Sequence, residues 1–404
     1  MKNSKRIVGL TCVVLATIAG LLLLLVRVES SFPPPVQVSI TRSNAALRVF
    51  PGVTGVFFIL PDGSLWCWGQ TGGGQFPRAR MPVQVGTNMD WAQAFAANNH
   101  CLGLKQDGTV WEWGWRGQRT TSTPEQAAPG TNWIGIAAGD VHSVALRRDG
   151  TLWAWGDNSN HQLGSDGPNR TEAEQVGDDN DWMDVSSGFG SMTYALKKDG
   201  TFWAWGYDYN TTVFAQPTRV LTETNWVGFE PGPLSNVRNR AGELWRPRLF
   251  RPGLPQNAST VCLRLSTNSF SGHCESAYAG KPSAFEVRPD GTLWEAPLTY
   301  QLSSATAQVQ LLQGAWHQVG KRSDWVGVWG AGTAIGLTAD GTLWGWGVDP
   351  GLEPRMDFAS RCRWIENRIT SLFGLGSGNL STSSTPQYRK TPAPIMKLRF
   401  NEKP

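Results

Sequence analysis

The residues able to carry chemistry in this chain are few and widely spaced. Five histidines, His100, His142, His161, His273 and His317, include no pair at metal-ligand spacing. No metal or other cofactor is therefore expected. Asp178-Asp179-Asn180-Asp181 has the acidic look of a calcium loop. Counting from Asp178, however, position six is Met183 and position twelve is Phe189, where Gly and Glu are needed. Asx-turns in a surface loop account for this run. Gly72-Gly73-Gly74 lacks the Gly-Lys-Ser/Thr that completes a phosphate loop, and neither a nucleophile elbow nor a zinc-protease helix motif occurs. The reading is non-enzymatic. The net charge of +4 is spread over 404 residues with no dense basic run, which argues against a nucleic-acid partner.

The elements that position these residues come from a repeat. Variants of Asp-Gly-Thr-Leu-Trp-x-Trp-Gly begin at Asp62, Asp107, Asp149, Asp199 and Asp340, with degenerate copies at Ala241 and Asp290. The turn glycines Gly63, Gly108, Gly150, Gly200, Gly242, Gly291 and Gly341 recur with a mean spacing of about 46 residues, the size of one four-stranded propeller blade. Within a unit, such as Ile134–Gly156, an apolar strand is followed by small residues. The alternating strand His142–Leu146, an Asp-Gly turn and the strand Leu152–Trp155 come next. The turn requires positive φ, which Asp tolerates and Gly adopts freely. A Pro- or Gln-led strand such as Met81–Val85 opens each unit. In Leu152-Trp153-Ala154-Trp155 the two-residue period puts both Trp on one face and Leu152 with Ala154 on the other. The residue between the Trp pair is small at Cys67, Ala154, Ala204 and Gly345, which allows the next blade to approach closely. His100 and His142 occupy one place in consecutive units, so their expected role is structural.

These units resemble the regulator of chromosome condensation repeat family, whose signature ends in Asp-Gly-x-Leu/Val-x-x-Trp-Gly. The likeness covers residues 35–350. It is specific in units one to four and seven and weak in five and six, where the first Trp is followed by Arg246-Pro247 and Glu295-Ala296 and the Trp-Gly is lost. The resemblance implies an all-β, seven-bladed β-propeller, with units five and six the least regular blades. Eukaryotic members act as nucleotide exchange factors inside the cell. Secreted bacterial relatives, one of which caps a β-lactamase, fit the location argued next.

Residues 7–26 are 20 apolar positions without a charge, enough for a helix of roughly 30 Å that spans a bilayer. Lys2, Lys5 and Arg6 precede it, so residues 1–6 stay cytoplasmic and everything past Arg27 is exported. A cleaved signal peptide competes with this anchor. Residues 27–34, ending in prolines, form a spacer. The chain is thus read as a single-pass membrane protein with its propeller periplasmic or extracellular. In that oxidising setting Cys262 and Cys274, flanking a Ser/Asn/Gly-rich stretch, are the natural disulfide pair, and Cys67, Cys101 and Cys362 are read as buried thiols.

Residues 351–404 depart from the repeat. Asp357 can cap a helix carrying Phe358, Cys362, Ile365, Ile369 and Leu372 on one face. A Gly/Ser/Thr linker then leads to a closing strand, Pro392–Leu398, expected to pair with blade one in competition with Pro35–Val38. Partner-binding candidates lie in the loops after the Trp-Gly strands, which gather on one face of the ring. They are Trp115, Arg116 and Arg119, then Asn158 and His161, then Tyr207, Asp208 and Tyr209. The expected function is a membrane-tethered scaffold for a protein partner. The alternative, a hydrolase or carbohydrate-active enzyme using the central funnel, would require convergent carboxylates there.

Overall fold

The computed structural model describes residues 35–41, 46–52, 54–70, 81–97, 99–115, 120–187, 191–208, 212–230, 235–247, 262–266, 274–276, 283–302, 309–330, 333–348 and 388–401. The expected membrane helix, its spacer and the helix expected from Asp357 lie outside them. Among the described residues every regular element is a strand, and no helix is long and apolar enough to cross a membrane.

The strands form seven separate sheets, antiparallel apart from one chain-end strand, the blades of a propeller. The innermost strands are Arg48–Pro51, Trp91–Ala96, Trp133–Ala138, Trp182–Ser187, Trp226–Phe229, Cys274–Ser276 and Trp325–Gly330. Those of blades one to five touch in succession, as do those of six and seven, and Arg48–Pro51 meets Trp325–Gly330 to close the ring.

The central hairpin of blade three shows how the repeat sequence builds a blade. Leu146 pairs with Leu152 and Ala145 with Trp153. Between them Gly150 stands at φ 88° and donates its N–H to Arg147 O at 3.0 Å. The expectation of positive φ at the Asp is corrected here: only the glycine takes it, as in a three-residue turn closed by a left-handed residue. Asp149 is thereby freed for another task. Its Oδ1 accepts the Thr151 N–H at 2.9 Å and the Thr151 hydroxyl at 2.7 Å, and that hydroxyl accepts Trp153 Nε1–H at 2.9 Å. The same relay joins Asp62, Ser64 and Trp66, then Asp107, Thr109 and Trp111. It recurs at Asp199, Thr201 and Trp203, and at Asp290, Thr292 and Trp294. The basic residue just before the turn covers the same indole. The Arg147 guanidinium lies 3.9 Å from the Trp153 ring and 4.5 Å from Trp133, and Lys105 and Lys197 repeat the arrangement over Trp111 and Trp203.

The core lies between blades. Trp153 and Trp155 pack with Leu102, Leu104 and Val110 of blade two, while Leu152 and Ala154 pack with Val185, Ala195 and Trp205 of blade four. Both Trp thus share one face, as the two-residue period requires. Blades five and six are the irregular ones. The second strand of blade five is only Val237–Asn239, and blade six lengthens its third strand to Leu293–Leu302, which pairs with both Val309–Gln313 and His317–Gln318.

Two expectations about strand order are corrected. The Pro- or Gln-led segment does not open its own blade. Val83–Gln84 pairs with Trp66 and Cys67 as the outer strand of blade one, so the sequence unit and the blade are offset by one strand. For the same reason neither closing candidate joins blade one, whose innermost strand is Arg48–Pro51. Tyr388–Asn401 is the outer strand of blade seven, pairing antiparallel with Thr342–Val348, and Val36–Thr41 runs parallel beside it as a fifth strand. Both chain-end strands have the character of an outer strand and go where an outer strand is missing.

Candidate partner-binding face

Because strands in a blade alternate in direction, the connections divide between two ends of the ring. The turn face holds the Asp-Gly turns and the crossings from each outer strand to the next innermost one. The loop face holds the hairpins between first and second strands and the loops after the Trp-Gly strands.

On the loop face, residues 157–170 of blade three form a loop tied together by side chains. Asn158, buried, donates Nδ2 to Ser165 O and Gly167 O, both at 2.9 Å, and its Oδ1 accepts the Leu163 N–H at 3.0 Å. Gln162 Nε2 donates to Asp157 Oδ2 at 2.8 Å, and Arg170 reaches Ser165 Oγ at 2.6 Å. The loop is also fastened to blade four: Asn160 Nδ2 donates to Ser191 Oγ at 3.1 Å, and Gln162 O accepts Trp205 Nε1–H at 3.0 Å. At its tip His161 has φ 60°, uncommon for a residue with a Cβ, and its Nδ1 lies 3.2 Å from Asp166 Oδ1.

The sequence-predicted residues divide accordingly. Trp115 ends the third strand of blade two 40% exposed, and its backbone N–H donates to Asn99 O at 2.9 Å. His161 and Tyr207 are half-buried at the equivalent edges of blades three and four. Asn158 belongs to the same loop, where its buried side chain builds the loop from within. Arg116, Arg119 and Tyr209 lie outside the described residues, as does the side chain of Asp208. Cys262 falls on the outer strand of blade five opposite Pro247, and Cys274 on the innermost strand of blade six opposite Phe285. Their side chains lie outside the described residues.

The two equivalent histidines are interblade struts. His100 Nε2 stands 2.9 Å from Ser143 Oγ, and His142 Nε2 stands 2.8 Å from Thr193 Oγ1, each reaching the second strand of the following blade. Burial, with His100 adding to it, lowers the His142 imidazole to about 3 and keeps it neutral. Glu112 went unrecognised in the sequence reading. It stands between Trp111 and Trp113, where four other copies have a small residue, and it is buried. It accepts Ser143 Oγ–H at 3.1 Å and Trp155 Nε1–H at 3.2 Å. An acid between two Trp, at a position held by a small residue in the other intact copies, was the available signal. Cys101 is a buried free thiol, pushed well up by burial and by the nearby Cys67.

At the hub, Asp184 stands on the innermost strand of blade four. It accepts the Phe229 N–H of blade five at 2.7 Å and the Val185 N–H at 2.9 Å, and burial raises it to about 6. Among the described residues no group of three or more His, Cys, Asp or Glu is arranged to hold a metal ion.

Comparison with known proteins adds a match to one repeat. Residues 133–162 match the model of the regulator of chromosome condensation (RCC1) repeat. No curated protein matches the chain in sequence. Among solved structures it is similar to human WBSCR16, at 14% identity over 87% of this chain and 94% of that one, with a TM-score of 0.48. It is also similar to Prp20p from Saccharomyces cerevisiae, reported with its binding to Gsp1p and histones, at 14% identity over 85% of this chain and 75% of that one, with a TM-score of 0.44. The matched segment is the innermost strand, central hairpin and Trp-Gly loop of blade three, and the Asp-Gly turn with its Trp-capped hydroxyl recurs around the ring. The chain is a seven-bladed propeller whose third blade carries a match to the regulator of chromosome condensation repeat.

Proposed function

We propose that this chain is a membrane-tethered, extracytoplasmic binding scaffold that holds a protein partner against its loop face. The observation that carries the reading is the loop 157–170. Asn158 and Gln162 hold it in a single shape, fastened to blade four, with a strained His161 at its tip. A preformed loop loses little entropy on binding, which is what a recognition surface gains from such internal bonding. Exposed Trp115 at the same edge of blade two supplies the aromatic anchor that binding sites favour. The tether rests on the apolar run at 7–26 and the positive charges before it.

The hydrolase alternative draws no comparable support. It calls for convergent carboxylates in the funnel, whereas Asp184 is engaged with two backbone amides. The test is site-specific photo-crosslinking in native membranes. A probe at His161 or Tyr207 is expected to trap one discrete partner, and a probe at Lys198 on the turn face is not. Equal yields at both, or none at His161, would reject the loop face. A reporter fused after Pro404 that is active only in the cytoplasm would reject the topology.

A further inference from the structure

The turn face carries a second feature, built into the innermost strands. In five blades the register slips immediately after the leading Trp, between Trp91 and Gln93, Trp133 and Gly135, Trp182 and Asp184, Trp226 and Gly228, and Trp325 and Gly327. The skipped residue is apolar each time: Ala92, Ile134, Met183, Val227 and Val326. Ala92 and Met183 pack partly into interblade cores. Ile134, Val227 and Val326 remain 38%, 42% and 60% exposed. They belong to blades three, five and seven, so they encircle the hub. A bulge frees a residue from the ladder and re-aims its side chain, and folding alone gives no reason for that residue to be aliphatic here.

Three polar side chains of the described innermost strands beside this collar are engaged within the ring. Arg48 donates to Trp91 O and Ala92 O, both at 2.8 Å, Gln93 reaches Ile134 O at 3.5 Å, and Asp184 holds two amides. The collar therefore complements an uncharged, aliphatic occupant. Farther out, the turns present exposed Arg148, Asp149, Lys198, Asp199, Arg240 and Asp290, charges of both signs. An apolar centre within a polar rim is the anatomy of a protein interface, and a flat bilayer would have to desolvate that rim to reach the collar.

We infer that the hub of the turn face is a docking site for a partner polypeptide that inserts an aliphatic segment into the collar of Ile134, Val227 and Val326 and sets polar shoulders on the rim. This site is separate from the loop face.

A displayed random-peptide library panned on the purified chain tests it. Bound clones are expected to carry an aliphatic cluster flanked by charges. They should weaken about tenfold or more on the Ile134→Asn/Val227→Asn/Val326→Asn variant and be unchanged on Trp115→Ala/His161→Ala. Val227→Thr/Val326→Thr, close in volume, gives the same readout should the triple variant not fold. Three results would overturn the inference. They are clones indifferent to the collar, a wild-type dimer dispersed by the collar variant, or collar-dependent binding to phosphatidylcholine vesicles with no peptide selected.

Discussion

The indole of Trp68 in blade one lies against the backbone of Gly345 in blade seven, so closely that a Cβ built at Gly345 would stand 2.2 Å from the ring. Residues 277 positions apart thus make the contact that seals the ring, and they are the same pair of repeat positions that meets at other blade boundaries. Cys67 holds this position against Trp113, Glu112 against Trp155 and Ala154 against Trp205; at the seam it is reduced to a glycine. Gly345→Ala is expected to destabilise the propeller by about 1–3 kcal/mol through overpacking, while Ala154→Gly should cost about 1 kcal/mol or less. Urea unfolding of both variants checks the difference, and an undisturbed midpoint for Gly345→Ala would contradict the packing.

Closure also depends on the outer strand of blade seven. Ile395, Met396 and Leu398 are buried in the core shared with blade one, and Lys397 Nζ reaches Asp340 Oδ2 at 2.7 Å and Thr342 Oγ1 at 3.0 Å. At about 2 kcal/mol per buried aliphatic side chain, deleting residues 388–404 removes roughly 6 kcal/mol, comparable to the whole stability of many domains. The truncated chain is expected to be unfolded or aggregated at 37 °C. An unchanged melting temperature would show that the strand is dispensable.

His142 sets one limb of the pH dependence. Its folded value of about 3 lies below the ordinary 6.5, so the unfolded chain takes up the proton first. Stability is therefore full above about 6.5 and declines as pH falls toward 3. His142→Gln should flatten the decline between pH 6 and 4 in chemical denaturation. Asp184, raised to about 6, acts oppositely, costing stability as pH rises through that interval, and Asp184→Asn should steepen the decline there.

The turn carboxylates supply a second, more acidic limb. Hydrogen bonds from the partner Thr lower Asp107, Asp149, Asp199 and Asp290, and Lys397 with Thr338 and Thr342 lowers Asp340 strongly. Their contribution is present above the ordinary carboxylate value of about 4 and is lost as pH falls below it. Replacing Asp107, Asp149 and Asp199 with Asn should shallow the stability curve below pH 4 and leave the His142 limb unchanged.

Asn158→Ala removes three hydrogen bonds that organise the loop without touching the interblade core. Global unfolding is expected to shift by about 1–2 kcal/mol. Limited proteolysis should open new cleavage within residues 157–170, and partner crosslinking from His161 should fall. A protected loop with normal crosslinking would show that its shape does not depend on Asn158.

The repeat was legible in the sequence because its signals are local. Asp-Gly followed by a hydroxyl residue and Trp-x-Trp specifies turn, cap and strand within eight residues, and the spacing of about 46 sets the blade size. The equivalence of His100 and His142 and the shared face of Trp153 and Trp155 follow from the same local periodicity. What lay beyond it depends on contacts across the ring. Both Pro35–Val38 and Pro392–Leu398 read as outer strands, but which blade lacks one is decided only when Arg48–Pro51 takes the innermost place in blade one. Glu112 reads as an ordinary surface acid until Ser143 and Trp155 of the following blade close over it. The bonds that Asn158 makes inside its loop appear only once that loop folds back onto it. In each case the composition of the segment determined its kind, and the partner brought in by the tertiary structure determined its use, because burial and hydrogen bonding are properties of pairs rather than of residues.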